Sequence, residues 1–245
     1  MNQYRARRAA ATALVAVVCA GAAACGSDSD GKDRQDARPS ASRTAHAPKP
    51  LTKPQLTAAS LTEGEAVGPY TASEPTLDGP FRDEYTAAPA TCRPLVSLKE
   101  GTGQYAAPAA EVNRTVDNPD EMLGESVDVQ LRSYADGNAA RVMQALTKAG
   151  TACAAGFTEE RAVARAKYLK VETLKAPAIG DEAKAFRFTV LDVKGKLKLY
   201  TYLTVVRSGS TTLSFRASIL SAKDIGGVPR TVLDTQWKKF QAAEN

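Results

Sequence analysis

FRFTVLDVKGKLKLYTYLTVVRSGSTTLSFRASI, residues 186–219, decides the fold. Phe186, Phe188 and Val190 alternate with Arg187 and Thr189. Asp192-Val193-Lys194-Gly195-Lys196 then makes a turn into a run carrying Leu197, Leu199, Leu203 and Val205. Ser208-Gly209-Ser210 makes a second turn, into Leu213, Phe215, Ala217 and Ile219. Alternation of period two marks strands with one buried face, and short turns between consecutive strands make an antiparallel meander.

Working outward from this stretch, Tyr168–Leu174 reads as a further strand, and Glu125–Tyr134 as another. In the latter, Val127, Val129 and Leu131 alternate with Asp128, Gln130 and Arg132. Asp136 offers a helix N-cap, and Ala139, Val142, Met143, Leu146 and Cys153 recur on one face of the helix that follows, which Gly156 closes. Pro229, placed at a helix N1 position, opens PRTVLDTQWKKFQAA, in which Leu233, Trp237 and Phe240 share a side. Nearer the start, Gln55–Ala66 carries a short helical pattern, 70–91 is rich in turn formers, Pro94–Leu98 is weakly apolar, and Ala110–Val116 is a short strand. The expected class is α+β, an antiparallel β-sheet meander with amphipathic helices packed on one face.

The first residues read as an export signal. Arg5, Arg7 and Arg8 form a basic head, followed by a small and apolar run from Ala9 to Ala24 that is shorter than the roughly 20 residues of a spanning helix. Ala22-Ala23-Ala24-Cys25-Gly26 resembles the bacterial lipobox, with Ala22 where that motif usually has Leu. The resemblance implies cleavage before Cys25 and attachment of a diacylglyceryl group to its thiol, so that the membrane is a partner through that lipid. A secreted protein cut after Ala-x-Ala, with Cys25 incidental, is the competing reading. Sec and twin-arginine export both remain open. Residues 26–53 are rich in Ser, Asp, Arg and Pro and lack the apolar surface to offset ordering. The expected organisation is a signal peptide at 1–24, a lipidated N-terminus and disordered tether at 25–53, and one extracytoplasmic domain at 54–245.

The formal charge of +5 includes the signal; without its three arginines 29 Lys+Arg face 27 Asp+Glu. A balance so close to neutral gives no electrostatic case for nucleic acid. Of the four cysteines, Cys19 leaves with the signal and Cys25 carries the lipid, so Cys92 and Cys153 remain. In an oxidising compartment such a pair forms a disulfide; buried free thiols are the alternative.

A strand ending in Tyr134-Ala135-Asp136, a long helix carrying Cys153, a strand meander and a closing helix follow one another in this chain. That order resembles the extracellular sensor domain of some actinobacterial serine/threonine kinases, a domain also found on free-standing lipoproteins, over about Leu51 to Ala242. Two departures stand out. One candidate cysteine pair is present rather than more, and the small residues Ala149-Gly150-Thr151 stand where an aromatic often precedes the helix cysteine. No kinase module accompanies the domain. The resemblance implies ligand sensing or binding in the envelope and carries over no ligand.

Catalytic constellations are absent from the sequence. His46, the sole histidine, lies in the tether, so neither a His-activated nucleophile nor a His metal site is expected. The run Asp28–Asp33 fails the calcium-loop pattern at position twelve, where Pro39 stands. Asp117, Asp120 and Glu121 surround Pro119 as in a solvated turn, and Gly101–Ala106 fits a dinucleotide fingerprint by letter only, with Pro108 next. Neither metal nor cofactor is expected. On the sheet face away from the helices, Arg187, Lys198, Tyr200, Tyr202 and Arg216 would stand together and could hold an anionic or sugar-like ligand; an ordinary solvated face is the alternative. The expected function is a non-catalytic, lipid-anchored ligand-binding or sensor-like domain on the outer side of the cell membrane. A structural or accessory envelope protein acting through protein–protein contacts is the second reading, and the partner is accordingly a small molecule or an envelope protein of unknown identity.

Overall fold

A computed structural model describes residues 49–75, 85–99, 107–120, 124–161 and 164–244. Cys25, the signal segment, His46, the 28–33 run, Glu121 and the 101–106 run lie outside the described residues.

Four helices, α1 (Lys53–Ala58), α2 (Arg93–Lys99), α3 (Asn138–Ala152) and α4 (Arg230–Glu244), accompany ten strands among the described residues. The strands are β1 (Ala66–Val67), β2 (Tyr70–Ser73), β3 (Thr86–Ala88), β4 (Ala110–Asp117), β5 (Ser126–Ser133), β6 (Phe157–Arg161), β7 (Ala164–Leu174), β8 (Glu182–Leu191), β9 (Lys198–Ser208) and β10 (Thr211–Ser218). They form one sheet in the order β1-β2-β4-β5-β10-β9-β8-β7-β6-β3, and every neighbouring pair is antiparallel. β7 to β10 are the consecutive meander expected from the sequence, which β6 extends by one strand, so the α+β class with an antiparallel sheet holds.

The helices, however, divide between both faces of the sheet. The cause lies in β9, whose side chains are apolar in both directions. Tyr202 and Val206 join one buried cluster with Val112, Val116, Val127, Val129, Leu131, Leu213 and Phe215, covered by Leu56 of α1 and Val232, Leu233 and Phe240 of α4. Leu203 and Val205 join another with Phe186, Phe188, Tyr168 and Val171, covered by Leu95, Val96 and Leu98 of α2 and Val142, Met143 and Leu146 of α3. The turn at Gly209-Ser210 pairs Ser208 with Thr211, which sets Leu213 opposite Val206 and Phe215 opposite Thr204. The apolar side of β8 therefore faces α3, while that of β10, β5 and β4 faces α4. Two apolar areas on opposite sides of one sheet need two helical layers.

Several boundaries differ from the expected ones for local reasons. The 70–91 stretch includes β2 and β3, and Pro94–Leu98 is helical within α2. Gly137, left-handed at φ 71°, is the residue before α3, and Asp136 is also left-handed at φ 55°, so Asp136 turns the chain rather than capping the helix. Pro229 precedes α4 rather than opening it, and its carbonyl accepts the first helical bond from Leu233 N at 3.2 Å.

Cys92 and Cys153 are disulfide-bonded, with Cα atoms 5.9 Å apart, and join the start of α2 to the end of α3. Gly150 of α3 sits against Phe186, whose ring carbon Cε1 would lie 2.5 Å from a Cβ at that position. The small run Ala149-Gly150-Thr151 thus lets α3 settle onto the sheet. On the opposite side, Gln236 of α4 is fully buried. Its Oε1 accepts from Leu61 N at 3.0 Å and its Nε2 donates to Ala59 O at 2.7 Å, satisfying backbone groups where the chain leaves α1.

Candidate functional site

Beside the α4 layer the sheet is incompletely covered. α4 packs over the β10, β5 and β4 side, and the loop after β10 folds back over β9. Between them lies an open cleft of about 1040 Å³. Leu174, Ala185 and Thr204 of β7, β8 and β9 line it from the sheet, the 175–178 segment and the 223–229 loop form its walls, and Leu233 of α4 reaches it. Tyr70 and Glu125 stand at one margin, where the Tyr70 hydroxyl donates to Glu125 Oε1 at 2.6 Å.

None of the residues expected to bind ligand lines this cleft; Arg187, Tyr200 and Tyr202 stand behind its wall and hold the loop that forms it. Register places Arg187 opposite Tyr202 and Thr189 opposite Tyr200, so Arg187, Tyr200 and Tyr202 share the α4 face. The Tyr202 hydroxyl and Arg187 Nη1 both donate to the carboxylate of Asp224, in the loop after β10. Tyr202 Oη in turn accepts from Ile225 N at 3.0 Å and Gly226 N at 3.3 Å, and Gly226 N also donates to Asp224 at 2.9 Å. Arg187 Nη2 meets Glu172 Oε2 at 2.9 Å, and its guanidinium lies 5.7 Å from the Tyr200 ring centre. These side chains are occupied in holding the loop to the sheet.

The ionisation of the cluster follows from its bonds. The Tyr202 hydrogen bond, followed by Gly226 N and Arg187, holds Asp224 below its ordinary 3.8. Burial, and then the Asp224 carboxylate, push the Tyr202 phenol well above its ordinary range. Hydrogen bonds from Lys170 and Arg187 lower Glu172. The cluster is therefore a fixed set of two carboxylates and two cations, with a phenol that stays protonated.

Arg216 is the exception among the expected site residues. It lies opposite Leu203 and so belongs to the α3 face. There it pairs with Asp128 at 3.1 Å and donates to the carbonyl of Lys99, fastening the end of α2 to β10. Lys198 shares the parity of Tyr200 but stands exposed at the start of β9, beyond the cleft.

Two groups escaped the sequence reading. Asp224 lies in a stretch with no motif, and only its pairing with Tyr202 and Arg187 gives it a role. On the α3 face, Lys99 is buried 3.4 Å from Glu159 and 5.0 Å from the Tyr168 ring centre. Burial lowers its ammonium to about 8, against the opposing pull of Glu159. No group of His, Cys, Asp and Glu among the described residues is arranged to hold a metal ion, and no helix among them is long and apolar enough to cross a membrane.

The arrangement of this sheet and its helices is similar to that of an extracellular domain known from a crystal structure. The extracellular domain of PknH from Mycobacterium tuberculosis superimposes with a TM-score of 0.53 at 12% identity, covering 80% of this chain and 98% of that one. The Rv0999 ortholog from Mycobacterium smegmatis aligns with a TM-score of 0.33 at 16% identity, over 71% of this chain and 83% of that one. No family model and no curated protein matches the sequence. At this identity the PknH likeness establishes the fold alone.

Proposed function

We propose that this chain is a lipid-anchored, extracytoplasmic, non-catalytic binding domain that captures a small ligand in the cleft beside α4. The observation that carries this reading is the cleft itself, whose size suits a small organic molecule. Its lining favours an anionic ligand with an apolar part. Leu174, Ala176, Pro177, Ala185, Ile225 and Leu233 offer apolar surface, and Lys175, Lys223 and Arg230 bring three cations to the rim. The acids there are already engaged, Glu125 by Tyr70 and Asp224 by Tyr202 and Arg187. Its fold, shared with an extracellular domain, and the lipobox-like residues before Cys25 support the placement outside the membrane.

The test uses octyl phosphate as probe and octyl glucoside as a neutral control of equal chain length, both below their micellar concentrations. Octyl phosphate should raise the unfolding temperature in a saturable manner, by an amount equivalent to about 2.7 kcal/mol at a hundred times its dissociation constant. Lys175→Glu with Lys223→Glu, at exposed positions on the cleft rim, should remove most of that shift without altering the unliganded protein. If octyl phosphate is without effect, or acts equally on the charge-reversed variant, the cleft is not the binding site.

A further inference from the structure

The end of the sheet formed by the β8–β9 turn carries features the cleft does not use. Among the described residues the exposed large apolar side chains are Val193, Leu197 and Leu220, with relative exposures of 104%, 54% and 79%. All three lie at that same end. Val193 and Leu197 belong to the β8–β9 turn, and Leu220 follows β10, whose last rung pairs Ser218 with Thr201 near the start of β9. Single exposed aliphatic residues are ordinary, but three gathered at one end of a sheet are not.

On its β10 side the turn stands clear of its neighbour, whereas on the other side β7 runs alongside it to Ala164. The rungs Tyr200–Thr189, Leu199–Val190 and Lys198–Leu191 continue beyond the last β10 rung, a projection of about 10 Å at the usual rise per strand residue. Lys194, Lys196 and Lys198 are exposed on it. Asp192, its one acid, is turned inward, accepting from Lys196 N at 2.6 Å and Leu197 N at 2.9 Å. Neighbouring β7 adds exposed Lys167 and Arg165, the latter paired with Glu160 of β6 at 2.8 Å. Exposed Asp117 and Asp120 lie at the same end on the β4–β5 side, with β10 and β5 between them and the hairpin, a setback comparable to the roughly 10 Å screening length.

We propose that the tip of the β8–β9 hairpin is a docking surface for an anionic lipid bilayer. Val193 and Leu197 enter the boundary between headgroups and acyl chains, while Lys194, Lys196 and Lys198 lie at the level of the lipid phosphates. Aliphatic side chains at the apex with ammonium groups behind them match an interface that is apolar below and negatively charged above. A second protein surface would not need that depth ordering. This inference is independent of the ligand assigned to the cleft.

Residues 45–245 suit the test, because they form one compact unit containing both apolar clusters and the disulfide, and they lack the apolar N-terminal run. Wild-type protein is sedimented with vesicles of phosphatidylcholine alone and with vesicles containing one third phosphatidylglycerol. Binding to the anionic vesicles should exceed that to the neutral ones at least tenfold. Val193→Asp with Leu197→Asp should reduce it at least tenfold, and so should Lys194→Gln with Lys196→Gln and Lys198→Gln, both at unchanged unfolding temperature. Failure of the wild type to sediment with anionic vesicles overturns the proposal. So does binding that survives the aspartates, and so does a wild-type dimer in solution that the aspartates dissociate.

Discussion

Gly150 shows how one missing methyl group sets the distance between two layers. Ala is the better helix former by about 1 kcal/mol, yet a Cβ at 150 would meet the Phe186 ring, held at the base of the α3 layer. Overpacking of a fixed core costs about 1–3 kcal/mol. Gly150→Ala should therefore lower stability to urea, and adding Phe186→Leu should recover part of the loss in a double-mutant cycle. A Gly150→Ala protein more stable than wild type would refute the steric account. The sequence marks Gly150 only as one of the small residues Ala149-Gly150-Thr151, since the glycine is required by the side chain of a strand 36 residues later.

At the scale of elements, the loop after β10 is tied to β8 and β9 through Asp224. Its carboxylate is held below 3.8, so the stabilisation it supplies is complete above that value and is lost as pH falls through the lower value of the folded state. Protection of the Ile225 and Gly226 amides from hydrogen exchange should fall on acidification from pH 5 to below 3.8. Asp224→Asn should lower it already at pH 5, as should Tyr202→Phe, which removes the hydroxyl that accepts from both amides. Unchanged protection in Tyr202→Phe would show that the loop is held elsewhere.

The strands themselves were legible, because alternation in 186–219 and in 125–134 is a local property. Which face each strand buries depends on the turns between strands. A two-residue turn at Gly209-Ser210 pairs Leu213 with Val206 rather than Val205, and this parity sends Arg216 away from Arg187 and Tyr202. Asp224 was illegible for a different reason. Its partners are 22 and 37 residues away, and no periodicity carries that information.

For the molecule as a whole, the disulfide closes a span of 61 residues that takes in β4, β5 and α3. In the chain-entropy account a loop of that length contributes about 4 kcal/mol. Cys92→Ala with Cys153→Ala should move the urea midpoint down accordingly, as should reduction of the wild type, and the two should coincide. A loss below about 1 kcal/mol would mean that the α2 and α3 packing already confines the unfolded chain.

Ten strands side by side would ordinarily present two long hydrogen-bonding margins to passing chains. Here the outermost members, β1 and β3, are two and three residues long. An intruding peptide would find too few unpaired amides in a row to zip onto either of these two strands. Many copies of such a domain can stand shoulder to shoulder at high local concentration without fusing their sheets through β1 or β3.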